Sequence, residues 1–288
     1  GPDHPEVAEH LGTMAASYKN HAEWEKAEFC YCRALAFAHR FTGPQSLHIS
    51  HFYNALAELH RAQGDLTHAQ ALYQRALQVI ESVLGTNHPE VATYLNNLAE
   101  LLRVQGKLGE AEPLYKRALA IDESTQGVSH PIIAIRLNNL AELFRDKGSL
   151  EEAEPLYLRA LRINEEALGA EHTDMAIYFN NIALLYKAQG KLQDARLYYE
   201  QAIDIGERTL GPDHPQLATR LANLGALMVD LEDLDGAEDL FKRSLDIRQR
   251  AFGDEHPDTA NCMDWLESIA EMKEEAEAAG KLTGPQYP

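Results

Sequence analysis

Apolar residues recur along this chain at steps of three and four. Val91, Leu95, Leu98, Ala99 and Leu102 keep that spacing, and Ile177, Ile182, Leu185 and Tyr186 repeat it, so each set lies on one face of an α-helix. Pro89 suits the first turn, where its missing N–H would have no partner anyway. Gly106 ends the helix, because glycine accepts the left-handed conformation common just past a helix C-terminus, and Gly64, Gly148 and Gly190 do the same elsewhere. A second periodic run, Leu108, Ala111, Tyr115, Ala118 and Leu119, predicts a second helix ending at Gly127. Ser149 and Glu152 have the spacing of a capping box at the start of one such helix. Pro113 and Pro155 fall in the second turn and predict a bend rather than a break. No strand pattern appears.

The two helices belong to a longer period. Glycine stands at Gly1, Gly43, Gly85, Gly127, Gly169, Gly211 and Gly253, each 42 residues after the last. His-Pro follows at His4-Pro5, His88-Pro89, His130-Pro131, His214-Pro215 and His256-Pro257, with Ser46-Leu47 and His172-Thr173 as departures. Six full units result, starting near 1, 43, 85, 127, 169 and 211, with a partial seventh from 253. A single hairpin cannot bury its own apolar face, whereas stacked hairpins share a continuous core. Ala69, Ala111, Ala153, Ala195 and Ala237, with Ala76, Ala118, Ala160 and Ala202, mark close helix approaches, and Tyr31, Tyr73, Tyr115, Tyr157, Tyr199 and Phe241 fill the space beside them. The expected fold is all-α: one right-handed superhelical solenoid over residues 1–279, made of six hairpins and a C-terminal capping helix. Residues 280–288 read as a flexible tail.

The motifs L-N-N-L-A-E-L at 95–101 and 137–143, A-E-P-L-Y-K/L-R-A-L at 111–119 and 153–161, and G-P-D-H-P at 211–215 carry a resemblance. They resemble the tetratricopeptide repeat in its 42-residue, kinesin light chain-like form, longer than the usual 34-residue unit. The resemblance implies a protein-protein interaction scaffold that holds an extended peptide in a concave groove. It also favours Asn97, Asn139, Asn181 and Asn223 as clamps on the peptide backbone, and is compatible with ligands that carry an aromatic residue flanked by acidic ones.

If Leu98 and Leu102 face the stack, residues 93, 96, 97, 100, 103 and 104 line that groove. The periodicity turns them into stripes. Asn54, Asn96, Asn138 and Asn180 form one, flanked by Asn97, Asn139, Asn181 and Asn223. An amide offers donors and an acceptor together and grips a peptide backbone of any sequence. The competing use is a bond from one amide of each pair to a neighbouring helix. Asn96, Asn138 and Asn180 are expected to point most directly into the channel. The second stripe is cationic: Lys19, Arg61, Arg103, Arg145 and Lys187, breaking at Val229. It suits an acidic or amphipathic peptide, although Glu58, Glu100 and Glu142, three residues earlier, are placed to pair with the arginines. Leu184 replaces that glutamate in the fifth repeat, so with Ile135 and Ile177 nearby the best site is expected around repeats four to six.

With 45 acidic against 26 basic residues the net charge is −19, which repels nucleic acid and anionic membrane surfaces. No run approaches the eighteen or so apolar residues of a membrane helix. Three cysteines, Cys30, Cys32 and Cys262, fit a reducing, cytoplasmic setting, with Cys30 in the core and Cys32 exposed. Six histidines recur at the corner between repeats, one whole repeat apart, and read as turn caps rather than metal ligands. No nucleophile, phosphate-loop or metalloprotease motif is present, so neither catalysis, cofactor nor metal is expected. The chain opens without an initiator Met, as a fragment with flanking domains would. The alternative to groove binding is a regulatory or oligomerising arm of a larger signalling protein, contacting partners through its acidic convex face or its ends.

Overall fold

The computed structural model describes residues 6–41, 43, 46–278 and 280. Among them are thirteen helices and no strand: α1 (Glu6–Asn20), α2 (Trp24–Phe41), α3 (Leu47–Ala62), α4 (Leu66–Leu84), α5 (Pro89–Val104), α6 (Leu108–Gln126), α7 (Pro131–Asp146), α8 (Leu150–Leu168), α9 (Met175–Ala188), α10 (Leu192–Leu210), α11 (Pro215–Asp230), α12 (Leu234–Phe252) and α13 (Pro257–Ala278). Odd-numbered helices are the first of each hairpin and even-numbered ones the second. Apart from Gly280, the expected tail lies outside the described residues, as does His4.

The corners follow from local chemistry. At Gly106 the backbone is left-handed (φ 75°). The Gly106 N–H donates to the Arg103 carbonyl and the Lys107 N–H to that of Leu102, both at 2.9 Å, which closes the last turn of α5. At the other corner His88 Nδ1 accepts the Glu90 N–H at 3.2 Å. His130, His172, His214 and His256 accept equivalent bonds. Each of these five imidazoles therefore satisfies a donor left open at a helix start. Where Thr173 replaces the proline, α9 begins only at Met175. The expected capping box at Ser149 does not form. Ser149 occupies the N-cap, but its hydroxyl makes no capping bond and the Glu152 N–H goes to the Ser149 carbonyl instead. Asp65 and Asp233 do cap with their side chains, to the N–H groups of His68 and Gly236. The prolines leave α6 and α8 unbroken.

The chain divides into two compact units, Gly1–Lys147 and Gly148–Pro288. In the first, Ala27, Ala69 and Ala111 of the second helices are fully buried, and Tyr31, Tyr73 and Tyr115 pack beside them. The second unit repeats this with Ala153, Ala195 and Ala237 beside Tyr157, Tyr199 and Phe241. Gly225 shows how close the packing is, since a Cβ there would stand 2.9 Å from the Phe241 ring. Cys30 and Cys262 are buried and Cys32 is exposed.

The last helix is held by stacking and charge. Trp265 of α13 stacks on Phe241 with ring centroids 5.2 Å apart. Lys273 bonds both Asp235 and Glu238 of α12. Bonds from Lys242 and Lys273 lower the Glu238 carboxyl from an ordinary 4.5 to about 2. A depressed carboxylate contributes stability above its unfolded value and loses it as pH falls through the folded one. Glu238→Gln is therefore expected to flatten the loss of stability between about pH 4.5 and pH 2, read as thermal midpoints across that range. An unchanged acid limb would show that this contact does not hold α13.

Candidate functional site

Successive first helices are joined by their amides. Asn97 Nδ2 donates to Asn54 Oδ1 at 3.1 Å, and Asn139 to Asn96 at 3.0 Å, in the first unit. In the second, Asn223 donates to Asn180 at 3.0 Å. In every such bond the later helix donates to the earlier one. Asn54 and Asn138 also donate to Glu58 and Glu142, one turn along their own helices. Asn96, Asn138 and Asn181 are buried, while Asn54, Asn97, Asn139, Asn180 and Asn223 are half-buried. The exposure thus differs from the expected order in the third and fourth repeats: Asn96 and Asn138 lie deeper than Asn97 and Asn139. Each half-buried amide retains donor or acceptor capacity beyond the bond it makes to its neighbour.

The cationic stripe is matched by carboxylates. Lys19 bonds Glu58 at 2.8 Å. Arg61 is exposed. Arg103 reaches Glu100 at 2.8 Å, Glu142 at 3.2 Å and Asp146 at 2.5 Å. Arg145 bonds Asp146 at 3.1 Å through Nη2, whereas its Nη1 is buried and has no hydrogen-bond partner among the described residues. Lys187 pairs with Asp230 at 2.9 Å. Around Arg103 the balance differs between carboxylates. Burial would raise Glu100, but bonds from Arg103 and from the Tyr115 hydroxyl (2.7 Å) take it below its ordinary value. Burial wins at Glu142, which is raised despite Arg103 and Arg145.

The two units differ on this face. Carboxylates crowd the first, while Leu184 and Ala226 stand at the equivalent positions in the second, where Ile177 is 47% exposed. Ile135, exposed to the same extent, marks the end of the first.

One buried column escaped the sequence reading. Arg136 and Asp122 are 4% and 2% exposed and pair at 2.8 Å, and Arg136 Nη2 donates to the Thr93 hydroxyl oxygen at 3.1 Å. They lie at the floor of a cleft of about 410 Å³ between the His88 and His130 corners. The same two positions hold Ile80 and Tyr94 one repeat earlier, then Asn164 and Tyr178, Gly206 and Arg220, and Arg248 and Cys262. Arg248 finds the Asp258 carbonyl at 2.7 Å and the Cys262 sulfur at 3.2 Å. Reading each second-helix residue against the first-helix residue fourteen positions on would have exposed the column.

A sequence profile of the tetratricopeptide repeat matches residues 49–124, 132–208, 198–249 and 221–282. No curated protein matches the chain. Among solved structures, BtubC (BKLC) from P. vanneervenii is 26% identical with a TM-score of 0.66, over 81% of this chain and 94% of its own. A putative kinesin light chain of Podospora anserina with nearly identical TPR-like repeats is 23% identical with a TM-score of 0.59, over 69% and 94%. A signal transduction ATPase with a tetratricopeptide repeat sensor from Pyrococcus horikoshii has a TM-score of 0.66 at 16% identity, over 91% of this chain and 38% of its own. Among the described residues no helix is long and apolar enough to cross a membrane.

Proposed function

The chain belongs to the tetratricopeptide repeat family, whose repeats mediate protein-protein contacts, and we propose that it is a cytoplasmic scaffold holding an extended acidic or amphipathic peptide along its first helices. The observation that carries this reading is the set of half-buried amides bonded from one first helix to the next, with paired cations beside them, within each unit taken separately. In it, Asn54, Asn97, Asn139, Asn180 and Asn223 offer their remaining capacity to a peptide backbone, backed by Asn96, Asn138 and Asn181. Arg61, Arg103, Arg145 and Lys187 read its carboxylates. The internal pairs do not oppose this. Partly exposed ion pairs contribute only about 0–1 kcal/mol, so a ligand carboxylate exchanges readily for Asp146 at Arg145 or Asp230 at Lys187. The apolar change at Ile177, Leu184 and Ala226 suits the non-polar side of an amphipathic segment.

The test is a titration with labelled acidic-aromatic and basic-aromatic peptides. Acidic peptides are expected to bind more tightly, with salt weakening them, and Arg145→Glu or Lys187→Glu each reducing affinity about tenfold. Preference for basic peptides, or indifference to both substitutions, overturns the reading. A second reading is favoured by one neighbour, whose repeats are described as a sensor within a signal transduction ATPase: this array then serves as the regulatory arm of a larger protein. In that case binding responds to changes in the terminal helices α1 and α13 and ignores Arg145 and Lys187.

A further inference from the structure

We infer that Arg220, a buried guanidinium without a counter-ion among the described residues, is a carboxylate-binding residue that receives an acidic side chain of a peptide lying across α9 and α11. Arg220 is 5% exposed, and its Nη1 is sealed from solvent with no hydrogen-bond partner among the described residues. Burial pulls its pKa down, and no neighbouring carboxylate counters the effect. Two repeats earlier the same position is Arg136, whose charge is met by Asp122 and Thr93. The positions of those two partners are occupied here by Gly206 and Ile177. Both halves of the internal solution are missing while the cation is kept. The fold does not require a cation at this place, because Phe52, Tyr94, Tyr178 and Cys262 fill it in other repeats.

A buried charge that has lost its partner destabilises the folded state strongly. Supplying a carboxylate removes that penalty, so the ligand gains the bond and the relief of the strain together. Geometry places the guanidinium within reach. In this column Thr93, on the exposed face of α5, touches Arg136 directly, so the head group lies one side-chain length from the first-helix wall. Ile177 and Thr219 are exposed on the corresponding stretch. The space over Gly206 is filled by Arg220 itself, since a Cβ there would stand 2.8 Å from Nη1. The head group therefore meets its ligand by swinging toward Ile177, where an Asp or Glu side chain accepts two parallel N–H bonds. This inference rests on reading the first-helix wall as the peptide surface.

The experiment compares the full chain with Gly206→Asp, which restores the arrangement of Asp122 and Arg136, and with Arg220→Met, which removes the charge. Each protein is titrated with an acidic-aromatic peptide and its Gln-substituted counterpart, and its thermal midpoint is followed in rising acetate. Both variants are expected to melt higher than the parent, to bind the acidic peptide at least tenfold more weakly, and to lose an acetate-dependent rise in midpoint that the parent shows. Should Gly206→Asp fail to fold, Arg220→Met carries the same comparison. If both variants bind the acidic peptide as the parent does while Lys187→Glu does not, Arg220 has no part in recognition and the wall reading stands. If no peptide binds but acetate raises the parent alone, Arg220 is a carboxylate site and the wall reading falls. If neither peptide nor acetate distinguishes the parent, both fall.

Discussion

Asp122→Ala is expected to lower the unfolding free energy by about 3–5 kcal/mol, because it leaves Arg136 charged and unpaired in a protein interior. The pair is 2.8 Å apart with both residues almost wholly buried. The loss has two parts, the missing bond and the stranded guanidinium, and a second substitution separates them. Arg136→Met on top of Asp122→Ala is expected to recover most of the loss, since an apolar pair of similar volume removes the stranded charge. Denaturant unfolding of the two single variants and the double variant checks this as a cycle. A loss below about 1 kcal/mol for Asp122→Ala, or no recovery in the double variant, would mean that water reaches the column and the pair acts as a surface contact.

Tyr115→Ala is expected to destabilise by about 3–5 kcal/mol, the usual range for emptying a large buried aromatic site. Tyr115 is 1% exposed, and its hydroxyl donates to Glu100 at 2.7 Å. Tyr115→Phe keeps the ring and is expected to cost about 1.5–3 kcal/mol, the range for a bond to a charged acceptor. The chain supplies its own control. In the second unit Leu184 replaces the glutamate on the helix before Tyr199, and Ala226 replaces it before Phe241, where the hydroxyl is gone as well. The acceptor is thus lost one repeat before the hydroxyl, which persists at Tyr199 and goes at Phe241. If Tyr115→Phe unfolds at the same denaturant concentration as the parent, the hydroxyl only solvates Glu100 and does not anchor it.

Most of the fold could be read from the sequence because its determinants repeat. A glycine every 42 residues, an imidazole three residues later and alanine at close helix approaches recur unit after unit, and recurrence separates signal from chance. Ser149 misled for a local reason: its spacing to Glu152 fits a capping box, but the turn directs the Glu152 N–H to a carbonyl instead of the hydroxyl. The candidate wall was legible as residue types and not as bonds. Sequence spacing within one helix suggested Glu100 for Arg103, and that pair forms, but the further partners Asp146 and Glu142 come from the next repeat and were not legible. The Asp122 and Arg136 column stayed hidden for the opposite reason. Its members change from repeat to repeat, paired at Asp122 and Arg136 and unpaired at Gly206 and Arg220, so a search for sameness passes over it.

These three asparagine bonds run one way, the later helix donating to the one before it, so a repeat with both amides, such as that of Asn96 and Asn97, carries a donor for its predecessor and an acceptor for its successor. The run stops at Ala55 and Ala222, which stand where the next donor and the next acceptor would be, so a copy of a repeat with both amides extends the ladder and a copy of the second or sixth repeat interrupts it. Duplication or engineering can therefore lengthen the ladder in steps of 42 residues by copying a central repeat, such as that of Asn138 and Asn139.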